Sequence, residues 1–384
     1  MSKQNQLAEI DHSGKPYIIY KSKKGFNLYT NFSKKIILDN KNIERFLEKK
    51  HKIKKKNTDL LIGFFGYELL NNLINIKIPK QKNVNFPKGI FYKPEKIINL
   101  SNNLKYKNTK SFNKNDFKIN INKNSYTKIF NKFKKKIKSG ETYQIKICTK
   151  YKTKSKINPL DFFSRLSKTN LAPEAFMIKD KNYSIISCSP ENLITKKGSE
   201  ISTKPIAGTV KKTKSLNKIK ALNYFRKNIK ETKEHNMIVD MERNDLSKIC
   251  KVGSVKLSKE KTVEEYKDLF HYVSLIRGKI KKGIKNIDII KAMMPGGSVI
   301  GCPKINTLNL LNKQEKENRN IYTGSFGYIK FNGDMRFNII IRSILNFKDF
   351  SEISVASGVV VDSNSHHEFN ENFIKAKALI DLFK

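Results

Sequence analysis

Several things are missing from this chain, and each absence excludes something. No run of eighteen apolar residues occurs in its 384 residues, so no helix can cross a membrane. The opening MSKQNQLAEIDHSGK has no apolar core of the kind a secretion signal needs. Cysteine is sparse. Cys148, Cys188, Cys250 and Cys302 stand far apart, with neither metal-site spacing nor a disulfide pattern. These absences lead to the expectation of a soluble, reducing, cytoplasmic setting. No internal repeat is present. Acidic residues are few, 34 against 78 lysines and arginines, and the formal net charge is +44. Arginine is itself scarce, with only Arg45, Arg165, Arg226, Arg243, Arg277, Arg319, Arg336 and Arg342.

The charge admits two readings. Clustered cations neutralise phosphates, which suits a nucleic-acid binder. Against that, lysine, asparagine and isoleucine crowd every segment, and the chain avoids the residue whose fork matches guanine. Biased residue usage therefore accounts for the charge better than a polyanion partner does. The scarcity also makes each arginine informative. One that persists marks a place where a rigid bidentate fork is needed and lysine cannot serve.

The patterning predicts an α+β protein. PYIIY and LLIGFFGYELL read as strands and a helix within residues 1–101. Residues 102–125 are polar and low in complexity, which predicts a loop or linker. From 126 to 384 the pattern tightens into one catalytic region. YTKIFNKFKKKIKSG predicts an amphipathic helix closed by Gly140, and TYQIKICTKYKT, AFMIKD and YSIISCSP predict strands. KKTKSLNKIK, residues 211–220, reads as an exposed basic loop. KTVEEYKDLFHYVSLIRGKI reads as a strand-like entry followed by a turn or strand. IYTGSFGYIKFNG, MRFNIIIRSILNF and EISVASGVVVDS predict a run of strands. Strands arriving in hairpins, without alternating helices, favour α+β over a doubly wound sheet.

Two predicted helices carry paired carboxylates. In ETKEHNMIVDMERND, Glu231 and Glu234 are three residues apart and share a face that His235 and Ile238 continue. In EFNENFIKAKALIDLF, Glu368 and Glu371 repeat the spacing and Lys375 follows one turn on. Phe369, Phe373, Ala376 and Ile380 supply an apolar stripe. Alone, each acidic pair reads as a solvated helix face. Brought together, four carboxylates repel unless a cation sits among them. All-oxygen ligands point to Mg²⁺ with an anionic substrate.

EHNMIVDMERNDL, MPGGSVIGCPK, YTGSFGYIKFNGDM, IIIRS, ASGVVVDS and EFNENFIKAKAL occur in one order. Together they resemble the chorismate-utilising enzymes: component I of aminodeoxychorismate and anthranilate synthases and, more distantly, isochorismate and salicylate synthases. The likeness covers residues 126–384 strongly and LLIGFFGYE faintly. It implies one large α+β domain of two packed, mainly antiparallel sheets with helices outside. It implies that Glu234 and Glu371 bind Mg²⁺ directly while Glu231 and Glu368 hold its waters. Arg342 would grip a substrate carboxylate, with Tyr322, Lys375, Ser357, Gly358 and Ser298 at other substrate-binding positions. His271 would lie near the substrate ring, whereas Arg243 reads better as a structural ion-pair residue.

Three positions bear on the reaction. Water-adding members carry a lysine base where this chain has Gln144, which cannot take a proton near neutral pH. That favours addition of ammonia. PGGS within MPGGSVIGCPK, the YQ at 143–144 and the lack of an LLES-type motif resemble aminodeoxychorismate synthases, which serve folate synthesis. PIAGT, with Ala207, Gly208 and Thr209, resembles anthranilate synthases, which serve tryptophan synthesis. Many aminodeoxychorismate synthases place a nucleophilic lysine where Ala207 stands, so ammonia would attack directly here. Ile300 stands where the family has Ser or Thr, a departure that raises the alternative of a chorismate-binding pseudoenzyme. No GxCxG-like elbow is present, which implies a separate glutamine amidotransferase subunit as ammonia source. The expectation is thus amination of chorismate, the 4-amino product ahead of the 2-amino one.

Overall fold

The computed structural model describes residues 3–78, 86–102, 104, 116–154, 157–169, 171–213, 215–266 and 269–383. Its strands form one continuous antiparallel path. From Gln144–Thr153 the ladder runs through Ser351–Val359, Ser343–Phe347, Tyr183–Ser189 and Glu174–Lys179. It then passes through Tyr17–Lys21, Phe26–Leu38, Gly89–Leu100 and Leu60–Phe65. Ser325–Lys330, Met335–Asn338, Asn192–Lys197 and Glu200–Lys204 carry it on to Leu269–Lys279. The N-terminal strands are therefore woven between strands more than a hundred residues away in sequence.

The path curls so that its two halves face each other across an apolar core. Phe176 and Phe326, from opposite halves, stack with centroids 3.8 Å apart. Ile18, Ile62, Phe64, Ile185 and Leu345 fill the same layer. Helices cover the outside. Lys123–Lys138 buries Tyr126, Phe130, Phe133 and Ile137 at helical spacing, as its periodicity predicts. Within the predicted 102–125 linker, residues 103 and 105–115 lie outside the described residues. Of the rest, Lys118–Ile119 pair with Lys152 and Tyr151, and the helix begins at Lys123.

Some elements differ from the sequence reading. The basic loop at 211–220 gives way at Asn217, whose side chain caps a helix over Lys218–Lys227; an asparagine that accepts from a first-turn N–H nucleates that end. MRFNIIIRSILNF, read as part of a run of strands, forms two of them, because the backbone leaves the ladder at 339–342 and Arg342 adopts φ +50°. The KTVEEYKDLFHYVSLIRGKI stretch agrees with its reading: the strand Lys256–Glu265 enters and the strand Leu269–Lys279 follows antiparallel to it.

Two arginines brace this framework as forks. Arg319 is buried, with Nε and Nη2 on the Glu315 carboxylate, Nη2 also 3.1 Å from the Lys146 carbonyl, and the guanidinium over Tyr67. Arg336 pairs with Glu174. Lysine cannot reproduce either geometry. Arg319→Met should cost about 3 kcal/mol or more, because it leaves a largely buried carboxylate without its counter-ion. A urea-denaturation midpoint unchanged from wild type would contradict that bracing role.

Candidate active site

The strand Gln144–Thr153 and its neighbour Ser351–Val359 form the floor of the site. Period-two alternation puts Gln144 and Lys146 on one face, and the register sets Lys146 opposite Gly358. The helix Ile229–Ile249 delivers Glu231 and Glu234; Asn228 caps it, accepting from the Glu231 N–H at 3.2 Å. The helix Ser365–Ile380 follows the Ser351–Val359 strand and packs back over it, capped by Asn364. It delivers Glu368, Glu371 and Lys375.

Glu234 Oε1 accepts from Gln144 Nε2 at 2.9 Å and from Lys146 Nζ at 3.0 Å. The Lys146 charge holds the Glu234 carboxyl down at about 2, against the opposing effect of burial. Burial pulls the Lys146 ammonium down, but Glu234, Glu371 and Glu368 outweigh it and the net shift is upward. Lys375 Nζ pairs with Glu371 at 2.7 Å and donates to the Ala356 carbonyl at 2.9 Å. Burial pushes Glu371 up, yet Lys375, Lys146 and a hydrogen bond with Glu368 bring it below the usual carboxylate value. Gly358 is what admits these groups. A Cβ there would lie 2.7 Å from Lys146 Nζ and 2.9 Å from Gln144 Nε2.

The other half of the site is built at a bulge. Ile206–Lys211 pairs with Leu269–Lys279, and the register slips between Ile206 and Thr209. Ala207 and Gly208 occupy that slip, with Gly208 at φ +95°, a conformation that favours glycine. A Cβ on Gly208 would meet Glu231 Oε2 at 2.9 Å, so the bulge abuts the first acidic helix. Ala207 packs with Ile238 and Met241 of the same helix. Thr209 Oγ1 lies 2.8 Å from His271 Nδ1. Burial first, then the Arg342 charge, lowers the His271 pKa to about 4.

Arg342 is part-buried, and desolvation presses its pKa downward while Cys188 and Glu191 act in the other direction. Among the described residues its side chain makes no ion pair or hydrogen bond. Ser298 Oγ donates to Glu191 Oε1 at 2.8 Å. Burial lifts Glu191 to about 7, with Ser298, Lys146 and Arg342 opposing. Glu191 thus links the two halves of the site electrostatically.

The remaining predicted residues take less direct places. Ser357 turns its hydroxyl toward Tyr126 OH at 2.7 Å, behind the floor. Tyr322 is buried against Cys148 and against Ala356, the residue whose carbonyl accepts from Lys375. Arg243 is an exposed partner of Asp240 at 3.5 Å, well outside the cluster. His235 and Ile238 are buried as the helix pattern predicts, with His235 Nε2 2.7 Å from Ser274 Oγ. Two expectations need correction. Phe373 is 48% exposed, because the second acidic helix buries Glu368, Asn372, Ala376 and Leu379 instead. Asn372 turns inward toward the Ile147 carbonyl, rotating the buried face by one residue. The side chain of Ile300 lies in the apolar cluster of Ile145, Ile147, Leu308 and Val359, where a hydroxyl would meet apolar neighbours.

Among the described residues, the three ligand-type side chains whose atoms all fall within 4.8 Å of one another are His367, Glu368 and Glu371. Glu231 and Glu234 lie outside that tight group, and Lys146 stands on Glu234. The two carboxylates offer hard oxygen donors suited to Mg²⁺, whereas imidazole is a borderline donor better matched to transition metals. The sequence reading missed Lys146, Glu191 and His367. Lys146 was findable, being two residues from Gln144 on a strand. Glu191 and His367 gave no local signal. Two cavities, of about 430 Å³ beside Arg243 and about 390 Å³ beside Arg319 and Lys150, lie off the carboxylate cluster.

His271 should stay neutral through physiological pH. Its lowered pKa means a stability contribution present above about 6.5 and lost as pH falls through about 4. An NMR titration of the His271 ring with a midpoint near 6.5 would contradict the described burial. Gly358→Ala should displace Lys146 and Gln144 from Glu234, since the methyl overlaps both. The Glu234 carboxyl should then titrate well above about 2, as followed by carbon-detected NMR.

The comparisons agree with this architecture. Aminodeoxychorismate synthase component 1 of Bacillus subtilis is 38% identical over 224 residues, 58% of this chain and 48% of that protein. Anthranilate synthase component 1 1 of Haloarcula marismortui is 35% identical over 226 residues, 59% of this chain and 46% of that protein. The chain thus spans about half the length of the curated relatives it matches. The crystal structure of anthranilate synthase component I from Streptococcus pneumoniae superposes with a TM-score of 0.76 at 25% identity, over 95% of this chain and 90% of that one. The family model for chorismate binding enzymes matches residues 14–381, and the chain belongs to that family.

Proposed function

We propose that this chain is the component I type of chorismate-aminating synthase, using Mg²⁺ and ammonia, with the 4-amino product and folate synthesis as its role. The observation that carries the reading is Arg342. A part-buried guanidinium that makes no ion pair among the described residues, and whose charge is felt by His271 and Glu191, suits a substrate that brings its own carboxylates. Chorismate has two. Arg342 would hold the enolpyruvyl carboxylate, and the acidic helices would hold Mg²⁺ on the ring carboxylate. Glu371 and Glu234 are the proposed direct ligands, with Glu368 and Glu231 behind them. When bound there, Mg²⁺ supplies Lewis acidity toward the ring carboxylate.

Ammonia forms a C–N bond to the ring as the C–O bond of the ring hydroxyl breaks. One ammonia proton ends on the departing oxygen, giving water. Fixing the substrate between Arg342 and the acidic helices sets the attack geometry. His271, held by Thr209 and neutral above about pH 4, presents an uncharged polar ring beside the bulge. Gln144, bonded to Glu234, supplies no base, which favours ammonia over water. The ammonia would come from a glutamine amidotransferase partner. Support comes from the thiols of this chain: burial raises Cys148 and Cys188 to about 12 and also raises Cys250 and Cys302, the reverse of what an activated thiolate needs.

One observation favours the 2-amino product instead. Ala207 sits in an apolar contact with Ile238 and Met241 and leaves no amine at the bulge for a covalent route. Chorismate, Mg²⁺ and an ammonium salt at alkaline pH separate the cases. The proposed reading predicts chorismate consumption and, after addition of a lyase, 4-aminobenzoate by chromatography. Anthranilate as product would favour the alternative. No consumption, with or without an amidotransferase, would refute both. Glu371→Ala should abolish turnover. Arg342→Lys should raise KM by roughly tenfold or more, reflecting a lost bidentate contact of over 1 kcal/mol.

A further inference from the structure

Both of the proposed direct metal ligands already carry a lysine. Lys375 sits on Glu371, but it comes from the same helix one turn away and is 43% exposed. Lys146 is different. It comes from another element, its side chain is 13% exposed, and its Nζ lies 3.0 Å from Glu234 Oε1. The fold makes specific room for it. Gly358 sits directly opposite in the ladder, and any larger residue there would place its Cβ 2.7 Å from Nζ. Arg319 fixes the strand at this residue by donating to the Lys146 carbonyl. Gln144 shares the same Glu234 oxygen, so a second donor aims that carboxylate at the lysine.

We propose that the Lys146 ammonium is the resident cation of the site, holding Glu234 in the metal-free protein and giving up that carboxylate when a divalent cation binds. The inference rests on the metal reading given above. The physical basis is competition for one oxygen. An ammonium and a divalent cation within contact distance of the same carboxylate repel each other, and in a poorly solvated site that repulsion is weakly screened. Lys146 therefore sets the metal affinity of this chain and keeps the two acidic helices together when no metal is present. A carboxylate cluster in a metal-dependent protein would otherwise repel itself between turnovers.

Titration calorimetry with MgCl₂ on the whole chain tests the competition. Lys146→Met keeps the side-chain length and should bind Mg²⁺ roughly tenfold tighter than wild type, the scale of one lost charge-assisted contact. Lys146→Gln should shift affinity the same way. Equal or weaker binding by both variants would overturn the proposal while leaving the metal reading intact. No Mg²⁺ binding by wild type or either variant would overturn the metal reading, and the competition with it. Thermal melting in EDTA gives a second readout. Lys146→Met and Glu234→Gln should each lower the midpoint, and the double variant should lower it by less than the two shifts combined. Fully additive shifts would show that the two residues are not coupled, and would also overturn the proposal.

Discussion

The ion pair between Lys146 and Glu234 joins what the rest of the molecule brings together. Lys146 stands on the strand Gln144–Thr153, which the antiparallel register fixes against Ser351–Val359. Glu234 stands on the helix Ile229–Ile249, whose first turn abuts the bulge at Gly208 on the other side of the site. The second acidic helix grows out of the Ser351–Val359 strand, so the three elements meet at one point. Gly358 leaves the space for that meeting, and Arg319 pins the strand from behind. A surface ion pair of this length contributes little, because water screens it. This one is largely buried and shared with Gln144, so its electrostatic effect is larger.

Much of the site was readable in the sequence, and the reasons are local. Paired glutamates at i and i+3 put two carboxylates on one helix face wherever that helix goes. The predicted helices at 231–245 and 368–383 correspond to Ile229–Ile249 and Ser365–Ile380, with the last three residues of the latter stretch, Asp381–Phe383, forming a tighter 3₁₀ turn. What could not be read depends on distant partners. Tyr17–Lys21 pairs with Glu174–Lys179, and no local pattern encodes that choice. Phe373 was misplaced because an apolar stripe at helical spacing looked like a core face, while Asn372 found a backbone carbonyl and turned the helix. Ile300 looked like a lost site hydroxyl, yet its side chain completes an apolar cluster beneath the floor.

The scarcity of arginine proved informative in an uneven way. Arg319 and Arg336 form forks on carboxylates inside the protein, and Arg342 waits in the site without one. Arg243 is exposed and loosely paired, as are the surroundings of most lysines. Most of the positive charge is therefore spread over the chain, while the site uses a few cations placed one by one, Lys146 and Arg342 part-buried and Lys375 exposed. Arg342 lies beside His271 of the bulged pair of strands, and Lys146 and Lys375 pair with Glu234 and Glu371 of the acidic helices.

Anomalous diffraction from crystals soaked in Mn²⁺ tests the central claim most directly, because it locates both the metal and the lysine. The account predicts a metal peak bound by Glu234 and Glu371, with the Lys146 ammonium moved out of contact with Glu234. A peak confined to His367, Glu368 and Glu371 with Lys146 still on Glu234 would contradict it, as would the absence of any peak between the two acidic helices.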